Sequence, residues 1–387
     1  MQDAVITGIG ELKPAIVNSG QTELDLLMQA AAIATSDAGL SKKEVDGLIV
    51  TPPSNDNYFM WPSQAAEYLQ IKPELLDMVE LGGASAVGSI IRAALFIQAG
   101  LCNHCLCLSG GIWDRRVFNT LEGKKKVMSQ AEIDFELPFG PMGFNSAYAL
   151  ITRRHMHKYG TTAEQLAKIV ADQRFNAMTN QNALFNDKLL SIEDILASPV
   201  IADPIHRLEI VVPCSGAAAV VVSRRDQAKN SCVRAINILG MGEAYTHNSI
   251  VYAADILESP VKKAAGKAFA MANLKPEDIN LVSLYDCYPI TVLITLEDAG
   301  FCAKGEGGEF VMNTDLTYGG KLPCNTHGGQ LCCGQPSFAG GMSHVIEAVR
   351  QLRNEAGERQ VQKNKVAFIN GNGGVMSVES CLILGGD

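Results

Sequence analysis

A glycine-rich segment, NTHGGQLCCGQPSFAGG at 325–341, contains residue types that could do chemistry close together. It includes His327 and the adjacent thiols Cys332 and Cys333. A thiol beside a base can act as a nucleophile, and glycines let the backbone approach a bound ligand. Because adjacent cysteines form only strained disulfides, a redox pair is disfavoured. The residue types alone leave open a phosphate cradle, a metal site or a loop that lines another kind of pocket.

A second segment, YDCY, places Tyr285 two residues before Cys287. Alternate side chains of a strand-like segment face the same way, so we expect this phenol and this thiol on one side. A phenol can donate a hydrogen bond or transfer a proton. The two segments together indicate a pocket with thiol and acid–base chemistry.

Composition excludes several classes of function. The 387 residues carry a formal net charge of −9, and the densest basic run is 124–126. An acidic chain without a basic face is a poor ligand for nucleic acid or an anionic membrane, so we expect neither partner. No apolar run reaches the ~18–20 residues of a membrane span, and the first residues lack a signal-peptide pattern. We therefore expect a cytoplasmic location.

The eleven cysteines indicate reduced thiols, because their number is odd, their spacing is irregular and no export signal is visible. The cluster CNHCLC at 102–107 superficially resembles a zinc motif. A zinc site usually needs a second pair of ligands at a defined spacing, which the sequence lacks. We therefore predict core cysteines there and no metal site.

An internal duplication predicts the architecture. Gly8–Glu11 is echoed by Gly240–Glu243 at an offset of 232 residues, and Asp37–Val50 is echoed by Met271–Leu284 at an offset of 234. Two echoes in the same order at nearly one offset are typical of two copies of one unit. We predict a half at 1–228, with an insertion at about 112–210, and a second half at 229–387.

Each half shows the same order of predicted elements: a β-rich run, a helix, an apolar strand, a glycine-rich turn with a second helix, and closing apolar strands. Strands that alternate with helices indicate the α/β class. In the first half, Thr22 is the predicted N-cap of the first helix and Gly39 its stop. The insertion is rich in helix formers and is expected to cover the first half.

The whole chain resembles the thiolase superfamily, and within it the thiolase-like branch related to sterol-carrier-protein thiolases. The likeness is carried by LYDCYPITVLITLEDAGFCAKGEGG, LPCNTHGGQLCCGQP, EAVRQLRNEAGERQV and PCSGAAAVVVS. It implies two pseudo-symmetric βαβαβ halves in five α/β/α/β/α layers. It also implies acyl-CoA chemistry with coenzyme A as a substrate and no covalently bound cofactor.

The chain departs from the family's usual catalytic residues at three places. Gly83 stands where the nucleophilic cysteine would be, Gln335 replaces the histidine of the GHP motif, and the loop INGNGGVMS lacks the C-terminal cysteine. YDCY replaces NEAF or HDCF, which puts Tyr285 at the oxyanion-donor position and makes Cys287 a candidate displaced nucleophile. An ordinary thiolase mechanism with the usual residues is therefore excluded.

The resemblance supplies a set of candidate site residues. The catalytic candidates are Tyr285, Cys287, His327 as general base, and Cys333; the oxyanion and substrate-binding candidates are Gly83, Asn325, Gln335, Gly373 and Gly374. Each has a plain alternative: small buried cysteines, a histidine that bonds a backbone carbonyl, or a packed tyrosine. The N-terminus of the helix after Gly83 offers free donors to a developing oxyanion.

Three functions remain open at this stage. Retained cysteines favour thiolase-type acyl transfer between a 3-oxoacyl-CoA and CoA, which we prefer. The absent nucleophile favours a retro-aldol lyase on a 3-hydroxyacyl-CoA, and the three losses also fit a non-catalytic subunit. The resemblance further implies a homodimer in which HCLCLSGG pairs across the interface, and a heterotetramer with a small zinc-ribbon/OB-fold subunit.

Overall fold

The computed structural model describes residues 4–18, 20–54, 59–113, 128–140, 143–228 and 234–386. The basic run at 124–126 and part of the predicted boundary between the halves lie outside these ranges. In the first part of the chain the elements are β1 (Ala4–Glu11), α1 (Glu23–Asp37), β2 (Gly47–Val50), α2 (Trp61–Leu69), β3 (Leu75–Met78), α3 (Ser85–Gln98) and β4 (His104–Gly111). They are followed by α4 (Phe144–Tyr159), α5 (Ala163–Ala177), α6 (Ile192–Leu196), β5 (Val200–Ala202), β6 (Ile205–His206) and β7 (Gly216–Arg224).

The remaining elements repeat the pattern of the first part. They are β8 (Ile236–Tyr245), α7 (Val261–Ala272), β9 (Leu281–Leu284), α8 (Pro289–Asp298), α9 (Gly307–Asn313), α10 (Gly329–Cys333), α11 (Ala339–Arg353), β10 (Val366–Gly373) and β11 (Val378–Gly385). As predicted, Thr22 caps α1: its side chain accepts from the backbone N–H of Asp25, and Asp25 bonds back in a capping box.

The strand order confirms the two pseudo-symmetric halves of the predicted α/β fold. Nine of the described strands form one sheet in the order β3-β2-β4-β7-β1-β8-β11-β10-β9, in which β1 and β8 pair at only two positions, and β5 and β6 form a separate two-stranded sheet. From the central β1–β8 pair, each side runs outward through two antiparallel pairings and then through parallel pairings. A parallel bridge between Val282 and Cys324 stands where β3 lies in the first half.

The echoed glycines have the same packing role in both halves: each lies against the backbone of a helix. A Cβ on Gly8 would lie 2.2 Å from the Ala34 carbonyl oxygen of α1, and one on Gly240 would lie 2.1 Å from the Ala268 carbonyl oxygen of α7. Real Cβ atoms do not approach oxygen so closely. The repeated glycines therefore let a helix lie directly on a strand.

The two helices that follow the glycine-rich turns, α3 and α11, form the central layer. Both contact strands of both halves, whereas α1 and α2 cover the outer face of the first half and α7 and α8 that of the second. Ion pairs cross between the halves: Arg92 of α3 binds Glu243 at 2.6 Å, and Arg350 of α11 binds Glu11 at 2.7 Å. These packing relations give the predicted five layers.

Two local predictions were wrong. HCLCLSGG is β4, which pairs with β2 on one side and β7 on the other, so its hydrogen-bonding edges are occupied and cannot face a partner subunit. YDCY is not strand-like, because β9 ends at Leu284 and 285–288 form the connection to α8. Tyr285 and Cys287 are nevertheless both buried.

Candidate active site

Tyr285 occupies the space beside Gly83. A Cβ built on Gly83 would lie 2.3 Å from the Tyr285 hydroxyl oxygen and 2.4 Å from the Asn372 carbonyl oxygen. A cysteine therefore does not fit here unless the phenol and a β10 backbone group move. The space beside this glycine is thus occupied by the phenol and is not open to an acyl group in this structure.

Gln335 holds the Tyr285 phenol in place. Its side-chain Nε2 donates to the Tyr285 hydroxyl oxygen at 2.9 Å. Burial, and next the neighbouring Cys287, raise the pKa of Tyr285 well above its usual value. The phenol is therefore neutral at physiological pH and retains a proton to donate. The amide that replaces the family's histidine thus serves to orient a phenol.

Cys287 lies next to Tyr285 in a group of tyrosines. Its thiol is within hydrogen-bonding range of the Tyr148 hydroxyl. That hydroxyl donates to the Gly374 carbonyl oxygen at 3.1 Å and accepts from the Asn372 side chain at 3.0 Å. Burial raises the pKa of Cys287 to about 12. In the free protein the side chain is therefore a thiol.

The loop at Gly373 and Gly374 closes this site from the other side. A Cβ on Gly82 would lie 3.0 Å from the Gly374 nitrogen, and one on Gly373 would lie 1.9 Å from the Leu81 carbonyl oxygen. Gly374 has φ of +62°, a conformation that favours glycine. The start of α3 and this loop therefore meet backbone to backbone around the position of Gly83.

His327 lies in a neighbouring buried layer, behind Tyr285. Its ring packs edge-on against His344 at 5.1 Å between centroids, and His344 in turn lies 6.2 Å from the Tyr285 ring. The His327 Nε2 is 3.5 Å from the Ser343 hydroxyl, whereas its Nδ1 has no hydrogen-bond partner among the described residues. Burial, and next His344, lower the pKa of His327 to about 3.

Cys333 and Asn325 are anchored in the same layer. The Cys333 sulfur is 3.4 Å from the His327 carbonyl oxygen and 3.5 Å from the Asn180 amide, in an apolar cluster with Cys332. Burial raises the pKa of Cys333 well above its usual value. The Asn325 side-chain amide bonds the backbone of Leu284: its oxygen accepts from the Leu284 N–H at 2.7 Å, and its nitrogen donates to the Leu284 carbonyl oxygen at 2.9 Å. These bonds connect this loop to the end of β9.

The structure thus divides the predicted site residues into two groups. Gly83, Tyr285, Cys287, Gln335, Gly373 and Gly374 come together around one point. Asn325, His327 and Cys333 form the layer that supports it.

Several residues of the site were missed from the sequence. Tyr148 belongs to the insertion and gives no local signal. Asn370, Asn372 and Glu379 alternate along paired strands, and that polar alternation inside apolar strands was an available signal. Asp286 accepts from the backbone of Gln330 at 2.8 Å and lies 3.1 Å from His344.

Two general findings bear on function. The described residues contain no group of three or more His, Cys, Asp or Glu side chains able to hold a metal ion. Within the same ranges, no helix combines the length and the apolarity that a membrane crossing requires.

Comparison with known proteins places the chain in a family. The model for a thiolase C-terminal domain-like family matches residues 242–386. A steroid side-chain-cleaving aldolase of Thermomonospora curvata is 31% identical, over 99% of this chain and 98% of its own length. An acetyl-CoA acetyltransferase of Methanothermobacter thermautotrophicus is 29% identical, over 98% and 99%. The solved structure of an Ltp2-ChsH2(DUF35) aldolase superposes with a TM-score of 0.87 at 30% identity and covers 100% of this chain and 98% of that one.

The fold and these matches define an enzyme of the thiolase-like class. The chain belongs to the thiolase superfamily, in its branch related to sterol-carrier-protein thiolases.

Proposed function

We propose that the protein cleaves or forms a C–C bond by thiolase-type acyl transfer between a 3-oxoacyl-CoA and CoA, with Cys287 as the nucleophile. The observation that carries this proposal is the placement of the three candidate cysteines. Cys287 lies beside Tyr285 and the Tyr148 hydroxyl, whereas Cys332 and Cys333 pack in an apolar cluster with Ala177 and Ala183. One thiol is thus available where the acyl group must sit.

The proposed reaction begins when the Cys287 thiol gives its proton to solvent water and its sulfur attacks the 3-oxo carbon. The bond between C2 and C3 then breaks, its electron pair moves to C2, and an acyl-Cys287 thioester and an acyl-CoA enolate result; the enolate takes up a proton at C2. The CoA thiol then loses its proton, its thiolate attacks the thioester, and Cys287 leaves as a thiolate that regains a proton from water. Forming the thiolate of Cys287 costs about 4 kcal/mol more than for a typical thiol, from a pKa of about 12 against 9.0.

Tyr285 and Gln335 supply the preorganised donors of this proposal. The Tyr285 hydroxyl accepts from Gln335 and keeps its own proton for an oxyanion that forms beside Gly83. The backbone at Gly373 and Gly374 shapes the opposite wall. We assign Asn325, His327 and Cys333 a positioning role, because their polar groups bond to backbone or lie within the buried layer.

A retro-aldol lyase on a 3-hydroxyacyl-CoA is the second candidate. The Tyr285 phenol fills the position of the missing nucleophile, and this reaction needs no nucleophile. The reaction needs a base for the substrate hydroxyl proton and a donor for the enolate. Tyr285 would have to be ionised to take that proton, and its raised pKa opposes ionisation. The aldolase names of two similar proteins agree with this candidate, and the acetyltransferase name agrees with the first.

A partner subunit is part of the proposal. The name of the similar solved structure, Ltp2-ChsH2(DUF35) aldolase, supports a partner subunit here too, and we propose that this partner is a small zinc-ribbon/OB-fold subunit. We also propose a homodimer core, a cytoplasmic location and halves that meet near 228–229. Since β4 is interior, a dimer interface would have to use another surface.

The products decide between the two candidates. The protein, with and without such a subunit, is incubated with a 3-oxoacyl-CoA plus CoA and separately with a 3-hydroxyacyl-CoA. Acyl transfer predicts two acyl-CoA products from the first mixture. An aldehyde or ketone from the second mixture, with no thiolysis in the first, would replace the proposal by the lyase.

A further inference from the structure

A buried carboxyl group with an unpartnered oxygen lies next to the proposed active site. Glu379 of β11 has no exposed surface. Its Oε2 accepts from the Asn370 side chain at 2.8 Å, but its Oε1 has no hydrogen-bond partner among the described residues. An ionised carboxylate in this position would leave a charged oxygen buried without a donor, which is strongly unfavourable.

The neighbours of this oxygen are acceptors. The side-chain oxygens of Asn370 and Asn372 are also buried and without hydrogen-bond partners in the described part of the chain. Asn372 and Glu379 are directly paired across β10 and β11, so their side chains stand side by side. A protonated carboxyl can donate its O–H into this group of acceptors, whereas a carboxylate can only add to it.

The charges around Glu379 favour the same protonation state. Burial first, and then the carboxylate of Asp298 on α8, raise the pKa of Glu379 well above its usual value, and the Asn370 hydrogen bond opposes them. The other titratable groups that face it are Tyr285 and Cys287 on the β9–α8 connection and Cys381 on β11, which are neutral at pH 7. The cationic side chain of Lys304 forms an ion pair with Asp298 at 2.9 Å.

Two side chains, those of Asn372 and Tyr148, stand between Glu379 and the reacting groups. The Asn372 amide, opposite Glu379, donates to the Tyr148 hydroxyl at 3.0 Å, and Cys287 lies within hydrogen-bonding range of that hydroxyl. The Asn372 carbonyl oxygen also lies at the position that a side chain on Gly83 would occupy. Glu379 is thus two side chains away from the candidate nucleophile.

We propose that Glu379 is the acid of this site, and that its proton ends on C2 of the acyl-CoA enolate. This inference deepens the proposed function and rests on it only for the enolate, which acyl transfer and retro-aldol cleavage both produce. Breaking the bond between C2 and C3 leaves its electron pair on C2. The Glu379 proton forms the new C2–H bond and leaves a carboxylate, which regains a proton from the CoA thiol or from the substrate hydroxyl. Glu379 stands just after the loop that lacks the family's C-terminal cysteine.

The first test is exchange of the C2 protons of acetyl-CoA and propionyl-CoA in deuterated water, followed by mass spectrometry. Glu379→Gln should lower the exchange rate about 10²- to 10⁴-fold, and Glu379→Asp should retain part of it. Cys381→Ala is the matched control, because Cys381 lies on the same face and contacts Asn370 but cannot serve as this acid. Exchange begins when the Glu379 carboxylate removes a C2 proton, which is the reverse of the proposed step. The rate in the wild type should therefore rise as pH rises towards the raised pKa of Glu379, and this rise should disappear in Glu379→Gln.

The second test does not need a reacting substrate. Infrared difference spectra of the wild type against Glu379→Gln should show the carbonyl band of a protonated carboxylic acid at pH 7. Absence of this band, or exchange in Glu379→Gln within threefold of the wild type, would overturn the proposal. If the wild type neither exchanges nor cleaves any acyl-CoA, the proposed function fails, while the infrared result still decides whether Glu379 holds a proton.

Discussion

Replacement of Gly83 by alanine tests whether the Tyr285 phenol really occupies the position of the family's nucleophile. The added Cβ would lie 2.3 Å from the phenol oxygen and 2.4 Å from the Asn372 carbonyl oxygen, where contacts below 3.0 Å are not tolerated. Both contacts must be relieved, so the β10 backbone must shift and the phenol must move, which breaks the 2.9 Å bond from Gln335 to the phenol. Overpacking of a buried site costs about 1–3 kcal/mol.

Gly266→Ala is the matched control for this prediction. Gly266 lies within α7 with no atom within 4 Å of an added Cβ, so alanine there should be neutral or stabilise the fold by about 0.5–1 kcal/mol. We expect Gly83→Ala to lower the denaturant midpoint and to reduce activity at least tenfold, since the donor to the oxyanion is displaced. A Gly83→Ala variant with the stability and turnover of the control would show that the phenol does not fill this position.

Three further predictions concern the buried layer and the halves. Because the pKa of His327 is lowered to about 3, the unfolded chain binds a proton at this histidine before the folded protein does, and stability should fall as pH drops from about 6.5 towards 3. In His327→Gln, acid unfolding monitored by circular dichroism should be shallower over that window, and an unchanged curve would contradict the burial argument. Cys333→Ser should lose stability but keep turnover per folded molecule within a few-fold, whereas Cys287→Ser should lower thiolysis by orders of magnitude; equal losses would assign Cys333 to the reaction. Arg350→Met leaves the carboxylate of Glu11 without its partner and should destabilise the protein by about 1–3 kcal/mol, and urea unfolding unaffected by this change would argue against the cross-half ion pair.

The fold was predictable because its signals are local and repeated. Glycines spaced to let a helix lie on a strand, such as Gly8 and Gly240, appear twice in the chain with the same neighbours. Apolar runs bounded by turns gave β2, β7, β10 and β11 directly. The duplicated order then supplied the arrangement that no single element reveals.

Sequence predicted the site only in part, because its members meet through tertiary packing. Gly83 and Tyr285 were singled out separately. The Tyr285 phenol fills the space that a side chain at position 83 would need, and this depends on how α3 faces the end of β9. Tyr148 reaches Cys287 from a helix of the insertion, more than a hundred residues away in sequence. The edge strand expected of HCLCLSGG failed for a related reason, since apolar sequence indicates burial but not which neighbour provides it.

The central claim is that Cys287 carries the acyl group, and trapping that group tests it most directly. The protein is mixed with a panel of 3-oxoacyl-CoA thioesters in the absence of CoA, quenched in acid, digested and analysed by mass spectrometry. The account predicts an acyl thioester on the peptide that contains Cys287, discharged by added CoA and absent in Cys287→Ser. An acyl group on Cys332 or Cys333, or no acyl-enzyme from a preparation that cleaves a 3-hydroxyacyl-CoA, would contradict it.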